Sequence, residues 1–188
     1  AKVLTPADNL NDVWQAGWYT WDAAPQNAPT VGGSLIPYCS MNVMNKGSAY
    51  NVHQIIYTFE GYEIHRYYDG GKQTWSEYAW VSPPMRSGEE YRTTEQYLAK
   101  PVYYKIVDCG QIADNKQVEH GIVNMRNCIS FQGLRGSMPM PSISNNNLSD
   151  PWSYYVADVD RTKITLACGT SAAGDTCHVI LKYTKTTD

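Results

Sequence analysis

Four histidines are the first side chains to weigh for chemistry: His53, His65, His120 and His178. None sits in a spacing such as H-E-x-x-H or H-x-H that would bring two imidazoles to one metal ion. His53 and His65 fall inside strand-like segments, and each reads as a hydrogen-bonded sheet residue. No G-x-S-x-G elbow and no glycine-rich phosphate loop is present. Hydrolysis of a glycosidic bond needs two carboxyl groups held about 5 to 10 Å apart. The available clusters are Glu89-Glu90 and Asp158 with Asp160. Adjacent glutamates in a polar stretch diverge and stay ionised, which removes the raised pKa a general acid requires. Asp158 and Asp160 share one face of a strand edge, which suits a solvated edge or a calcium ion. The sequence is therefore read as non-catalytic, with no cofactor and no metal.

Sugar binding asks for less: an aromatic face to stack on a pyranose ring, with amides and carboxylates beside it for the hydroxyls. Those ingredients meet where Trp152, Tyr154 and Tyr155 stand next to Asp150, Asn146 and Asn147. These six residues form the candidate ligand site. They border a run rich in Ser, Pro, Met and Asn between Gly133 and Tyr154, too long and irregular for a simple connection. A second aromatic group, Trp14, Trp18 and Trp21, reads as core, because Gly17-Trp18-Tyr19 looks like the start of a strand.

The elements that must position these residues are strands. No window of a dozen residues keeps apolar side chains at three-and-four spacing, whereas alternation is frequent. His53, Ile55, Tyr57 and Phe59 fall on one face of a strand and Val52, Gln54, Ile56 and Thr58 on the other. Glu60-Gly61 leads into a second strand, Tyr62 to Tyr68, and Asp69-Gly70-Gly71 into a third, Trp75 to Val81. Ser82-Pro83-Pro84 closes this antiparallel meander. Residues 86–100 are polar and charged, which fits a solvent-exposed connector or a strap lying on a neighbouring chain. Strand patterns resume at Val102 to Val107, Cys128 to Phe131, Ile164 to Cys168 and Val179 to Tyr183, and the last two are expected to pair. The resulting division is residues 1–83, a connector at 84–101, and residues 102–188.

Composition bounds the partners. The 188 residues carry 15 basic and 18 acidic side chains, net charge −3, so no basic stripe is available to neutralise a phosphate backbone and nucleic acid is excluded as a partner. No apolar run reaches the roughly 20 residues of a spanning helix, so no membrane insertion is expected. Tyrosine (15) and tryptophan (6) far outnumber phenylalanine (2), a bias toward rings that both pack and hydrogen-bond. The five cysteines, Cys39, Cys109, Cys128, Cys168 and Cys177, lack C-x-x-C spacing and read as buried thiols, with a Cys168–Cys177 bond across a hairpin as the one alternative. Ala1 without a preceding Met points to a piece of a longer protein.

Two stretches resemble known modules. Leu10-Asn11-Asp12-Val13, Gly17-Trp18-Tyr19, Asn27 to Pro29, Gln54 to Tyr57 and Trp75-Ser76-Glu77-Tyr78 are similar to the pyocin-knob-like domain of phage tail fibres. Glu90 to Glu95, Lys100-Pro101-Val102-Tyr103, His120-Gly121-Ile122 and Leu181 to Thr186 resemble the C-terminal module of tail-fibre or receptor-binding proteins. The resemblance implies an all-β chain: a knob-like domain, then a β-sandwich at a fibre tip reached through a strap. It also implies a homotrimer in contact with other tail proteins, assembled in the host bacterial cytoplasm and carried on the virion. It transfers no binding residues, and the cysteines and the SMPMPSISNNNLSDPW stretch depart from the pattern. The leading expectation is an adhesin for a bacterial surface polysaccharide or other cell-wall glycan; the alternatives are a structural tip or connector and, third, a glycan hydrolase.

Overall fold

A computed structural model describes residues 1–47, 51–136, 138–140, 154–168 and 175–187. The protein is all-β, with one short 3-10 turn at Leu10–Asp12 among the described residues. It divides into two compact units, Ala1–Pro84 with Arg92–Glu95, and Met85–Tyr91 with Gln96–Asp188.

The N-terminal unit contains β1 (Lys2–Val3), β2 (Gly17–Trp21), β3 (Thr30–Val31), β4 (Ser34–Leu35), β5 (Cys39–Asn45), β6 (Asn51–Thr58), β7 (Glu63–Asp69), β8 (Thr74–Trp75) and β9 (Ala79–Trp80). Its sheet runs β1-β2-β5-β6-β7-β9, with β8 also on β7 and β3 paired to β4 apart from it. The alternation that defines these strands decides what is buried. Cys39, Met41 and Val43 of β5, Val52 and Ile56 of β6, and Ile64 of β7 point inward with Tyr19, Trp21 and Leu10. The inner face also holds one polar pair in register, Gln54 opposite Arg66. Gln54 Nε2 donates to the carbonyls of Leu10 (2.8 Å) and Val13 (3.0 Å), while Arg66 donates to Gln54 Oε1 and Asn11 Oδ1, both at 2.8 Å. Trp75 and Tyr78 cover the guanidinium at 4.3 and 4.7 Å. This network ties the 3-10 turn to the sheet, and burial raises the Tyr78 pKa to about 12. It also explains why the strand expected from Trp75 to Val81 is broken into β8 and β9. Ser76 bonds to the backbone of Tyr67 in both directions, and Trp75 and Tyr78 turn to the cation between the two short pieces.

Strand β10 (Glu90–Tyr97) occupies the stretch expected as a connector, with Tyr91 and Thr93 buried. The C-terminal unit then contributes β11 (Lys100–Gln111), β12 (Lys116–Glu119), β13 (Met125–Arg135), β14 (Met138–Pro139), β15 (Tyr154–Val159), β16 (Lys163–Cys168) and β17 (Thr176–Lys185). Two sheets, β11-β17-β13-β14 and β12-β16-β15, enclose one core. Ile164 and Leu166 come from one sheet, and Val107, Val179, Leu181 and Tyr183 from the other. Tyr103 and Tyr183 stack in register at 5.8 Å, and the Tyr183 hydroxyl donates to Glu90, which also accepts from Lys185. Gly133 lets Met140 close onto the sheet; a Cβ there would lie 2.5 Å from the Met140 sulfur.

The expected pairing of the 164–168 and 179–183 strands is not found. β16 pairs with β12 and β15, and β17 with β11 and β13, so the two strands face each other across the core. Cys168 and Cys177 consequently belong to different sheets, and all five cysteines are free. The thiol that meets Cys177 is Cys109 of the adjacent strand.

Candidate functional site

The face of the N-terminal sheet opposite its core is built in rows by the strand register. Thr20, Ser40, Tyr57 and Glu63 form one row; Trp18, Asn42, Ile55 and His65 the next; Met44, His53 and Tyr67 a third. At the other end Phe59 donates its backbone N–H to the Tyr38 carbonyl. Exposure here is high for large rings: Trp18 53%, Tyr38 62% and Phe59 88%, with Tyr57, Tyr67 and Met44 also exposed.

Trp18 and Tyr57 are the centre of this face. They stand two strands apart, and the outward side chains of β5 between them are the small Ser40 and Asn42. The rings therefore meet above β5, centroids 6.2 Å apart and planes 28° apart, giving a nearly continuous aromatic platform. His53 and Tyr67 make a second near-parallel pair at 6.0 Å and 31°. Polar groups lie among the rings: Asn42, Ser40, Thr20, and a His65–Glu63 hydrogen bond of 2.6 Å. Beyond the third row the platform runs into an open cavity of about 620 Å³ lined by Ala16, Met44, Asn45, Lys46, Asn51 and His53. Such a surface offers flat apolar faces flanked by hydrogen-bonding groups.

A second cavity, about 540 Å³, lies in the C-terminal unit against Tyr104, Phe131, Gln132, Met140 and Lys182. There the Lys182 ammonium lies 5.3 Å from the Tyr104 ring centre.

Of the six residues expected to bind ligand, Asn146, Asn147, Asp150 and Trp152 lie outside the described residues. Tyr154 and Tyr155 open β15, paired with Cys168 and Ala167. The tryptophan group expected as core is divided. Trp21 is buried, with its indole N–H on the Ile36 carbonyl, and Trp14 packs edge-on against Tyr68, but Trp18 faces out. The signal that could have found it is spacing. Trp18 and Trp21 are three apart in one strand and so fall on opposite faces.

Three of the four carboxylates weighed for hydrolysis are engaged elsewhere, and the fourth, Asp158, lies on β15 opposite Thr165. Glu89 accepts from the Tyr91 hydroxyl, and Glu90 from Tyr183 and Lys185. Asp160 closes a turn, accepting from the backbone N–H groups of Thr162 (2.6 Å) and Lys163 (2.7 Å), and these bonds hold its pKa below the ordinary carboxylate value. Among the described residues no three His, Cys, Asp or Glu side chains gather as a metal site, and no helix is long and apolar enough to cross a membrane.

No family model and no curated protein matches this chain. Among solved structures it is similar to an N-truncated R2-type pyocin tail fibre at 11% identity, over 95% of this chain and 96% of that one, with a TM-score of 0.34. The C-terminal part of the Pseudomonas aeruginosa R1 pyocin fibre matches at the same identity and TM-score, over 96% of this chain and 66% of that one. A TM-score of 0.34 falls short of a common fold.

Proposed function

We propose that this chain is a receptor-binding module of a phage-type tail fibre, an adhesin that holds a bacterial surface glycan by ring stacking and hydrogen bonds and leaves its covalent bonds intact. The observation that carries this reading is the exposed platform of Trp18 and Tyr57, with amide, hydroxyl and imidazole groups spaced around it. A contiguous group of exposed large rings rimmed by polar side chains is the kind of patch that marks an interaction surface. Binding without cleavage is supported by Glu89, Glu90 and Asp160, each engaged in a structural hydrogen bond. The tail-fibre setting, the contacts with other tail proteins and the homotrimer rest on the sequence resemblance. A trimer would present three shallow sites, so weak contacts multiply into avidity. Light scattering tests the assembly: a particle three times the 21.1 kDa chain is expected, and a monomer at working concentration removes that part of the proposal.

Pull-down on bacterial cell walls and a glycan array test the binding role. The wild-type chain is expected to be retained, with Trp18→Ala plus Tyr57→Ala abolishing retention. Trp152→Ala plus Tyr155→Ala reads the aromatics expected from the sequence as a second platform in the same array. No retention of the wild-type chain would leave it a tip scaffold, retention untouched by both double variants would remove the aromatic platforms as the binding surface, and release of reducing ends from the glycan would make it a hydrolase.

A further inference from the structure

The cavity at the end of the platform differs from the platform in charge. Among the described residues its polar lining is the ammonium of Lys46, the imidazole of His53 and the amides of Asn45 and Asn51, with no carboxylate. Asn45 is already engaged, donating to the Trp14 carbonyl at 2.7 Å and accepting from the Gly47 N–H at 2.9 Å, so Asn51 is the amide left for a ligand. Lys46 is exposed and has no ion pair among the described residues. The nearest acid by register, Asp69 opposite Asn51, is committed to its own turn, accepting from the N–H groups of Gly71 and Lys72. Met44 and His53 belong both to the cavity and to the third row of the platform, so the two are one continuous surface. From this we infer that the glycan bound on the aromatic face carries a carboxylate, as a uronic acid does, and that this group docks in the Lys46 cavity while neighbouring rings stack on Tyr67, Tyr57 and Trp18.

The chemistry favours a carboxylate on charge and shape. One ammonium balances one negative charge, and the Asn51 amide is placed to donate to the second oxygen of a planar acid. The site is also local. The chain as a whole carries −3, so a polyanion gains nothing from long-range attraction and is held only where Lys46 stands. Raised salt should therefore weaken the acidic contribution and spare the stacking.

This inference rests on the glycan-binding reading, and the test separates the two. The probes are a glucuronic-acid-containing capsular oligosaccharide and the same oligosaccharide with its carboxyl groups reduced to primary alcohols, titrated calorimetrically against the full chain. The acidic form should bind roughly ten- to hundredfold more tightly than the reduced form. Lys46→Met should abolish that difference by weakening the acidic form most, and His53→Gln should narrow it. Lys46 is exposed, so its replacement leaves folding intact, which a thermal melt verifies. Equal binding of the two forms by wild type, an unchanged preference in Lys46→Met, or tighter binding of a phosphodiester-linked glycan would overturn the carboxylate assignment. If Trp18→Ala still binds both forms as wild type does, the platform is wrong while the adhesin reading stands; if wild type binds neither form nor any glycan of the array, the adhesin reading itself falls.

Discussion

The two units use the same residue types in opposite ways. In the C-terminal sandwich Tyr103 and Tyr183 stack at 5.8 Å inside the core, and burial raises the Tyr183 pKa. In the N-terminal unit Trp18 and Tyr57 stack at 6.2 Å in the open. Composition cannot separate the two pairs. Strand parity can, because one step along a strand moves a ring from core to surface. A sandwich covers the inner face of each sheet with the other, so its aromatic pair is structural. The N-terminal sheet covers one face with Leu10, the 3-10 turn and the Arg66 cluster, and leaves the other to display rings.

Substitutions that act on packing or on display should break this comparison in different places. The largest loss of stability is expected from Leu166→Ala, which empties a fully buried position of the sandwich and should cost about 2 to 5 kcal/mol by chemical denaturation. Arg66→Met comes next. It leaves Gln54 Oε1 and Asn11 Oδ1 without their donor, and the N-terminal unit should lose about 2 to 4 kcal/mol. Trp18→Ala should shift stability by no more than about 0.5 kcal/mol, because the ring is 53% exposed, while glycan retention is lost. A large fall in melting temperature in that variant would place Trp18 with the packing residues.

The smallest effect is a pH dependence confined to the C-terminal unit. His120 is buried, its Nδ1 accepts from the Ile122 N–H at 3.1 Å, and its Nε2 faces the Asp160 carbonyl at 3.3 Å. Burial lowers its pKa below the ordinary value, so the folded state favours the neutral ring. The stability this confers is present above the unfolded pKa, about 6.5, and is lost as pH falls through that value toward the folded one. Thermal melts between pH 7 and 5 should show it, and His120→Gln should flatten the profile.

What was legible in the sequence follows from the same parity rule. Residues 52–59 alternate cleanly into the two faces that the sequence divides, and the structure buries the one carrying Val52, Gln54, Ile56 and Thr58. Trp18 was misread because three tryptophans close in sequence look like one cluster, although Trp18 and Trp21 point to opposite faces of β2. The partners of β16 and β17 were not legible, since two strands that each bury one face show the same pattern whether they lie side by side or across a core. Strand β10 was hidden by its composition. Tyr91 and Thr93 are its buried side chains and the remainder is polar, so its average looks like a loop. The aromatic face drew on residues from four strands of a sheet, and only register brings Trp18, Tyr57 and Tyr67 onto one surface.

The most direct test of the central claim is an intermolecular NOE experiment on the chain with the tightest-binding glycan from the array. Contacts are expected from the CH protons of the sugar ring to the indole of Trp18 and the ring of Tyr57. A glycan that binds specifically while contacting neither ring would contradict it.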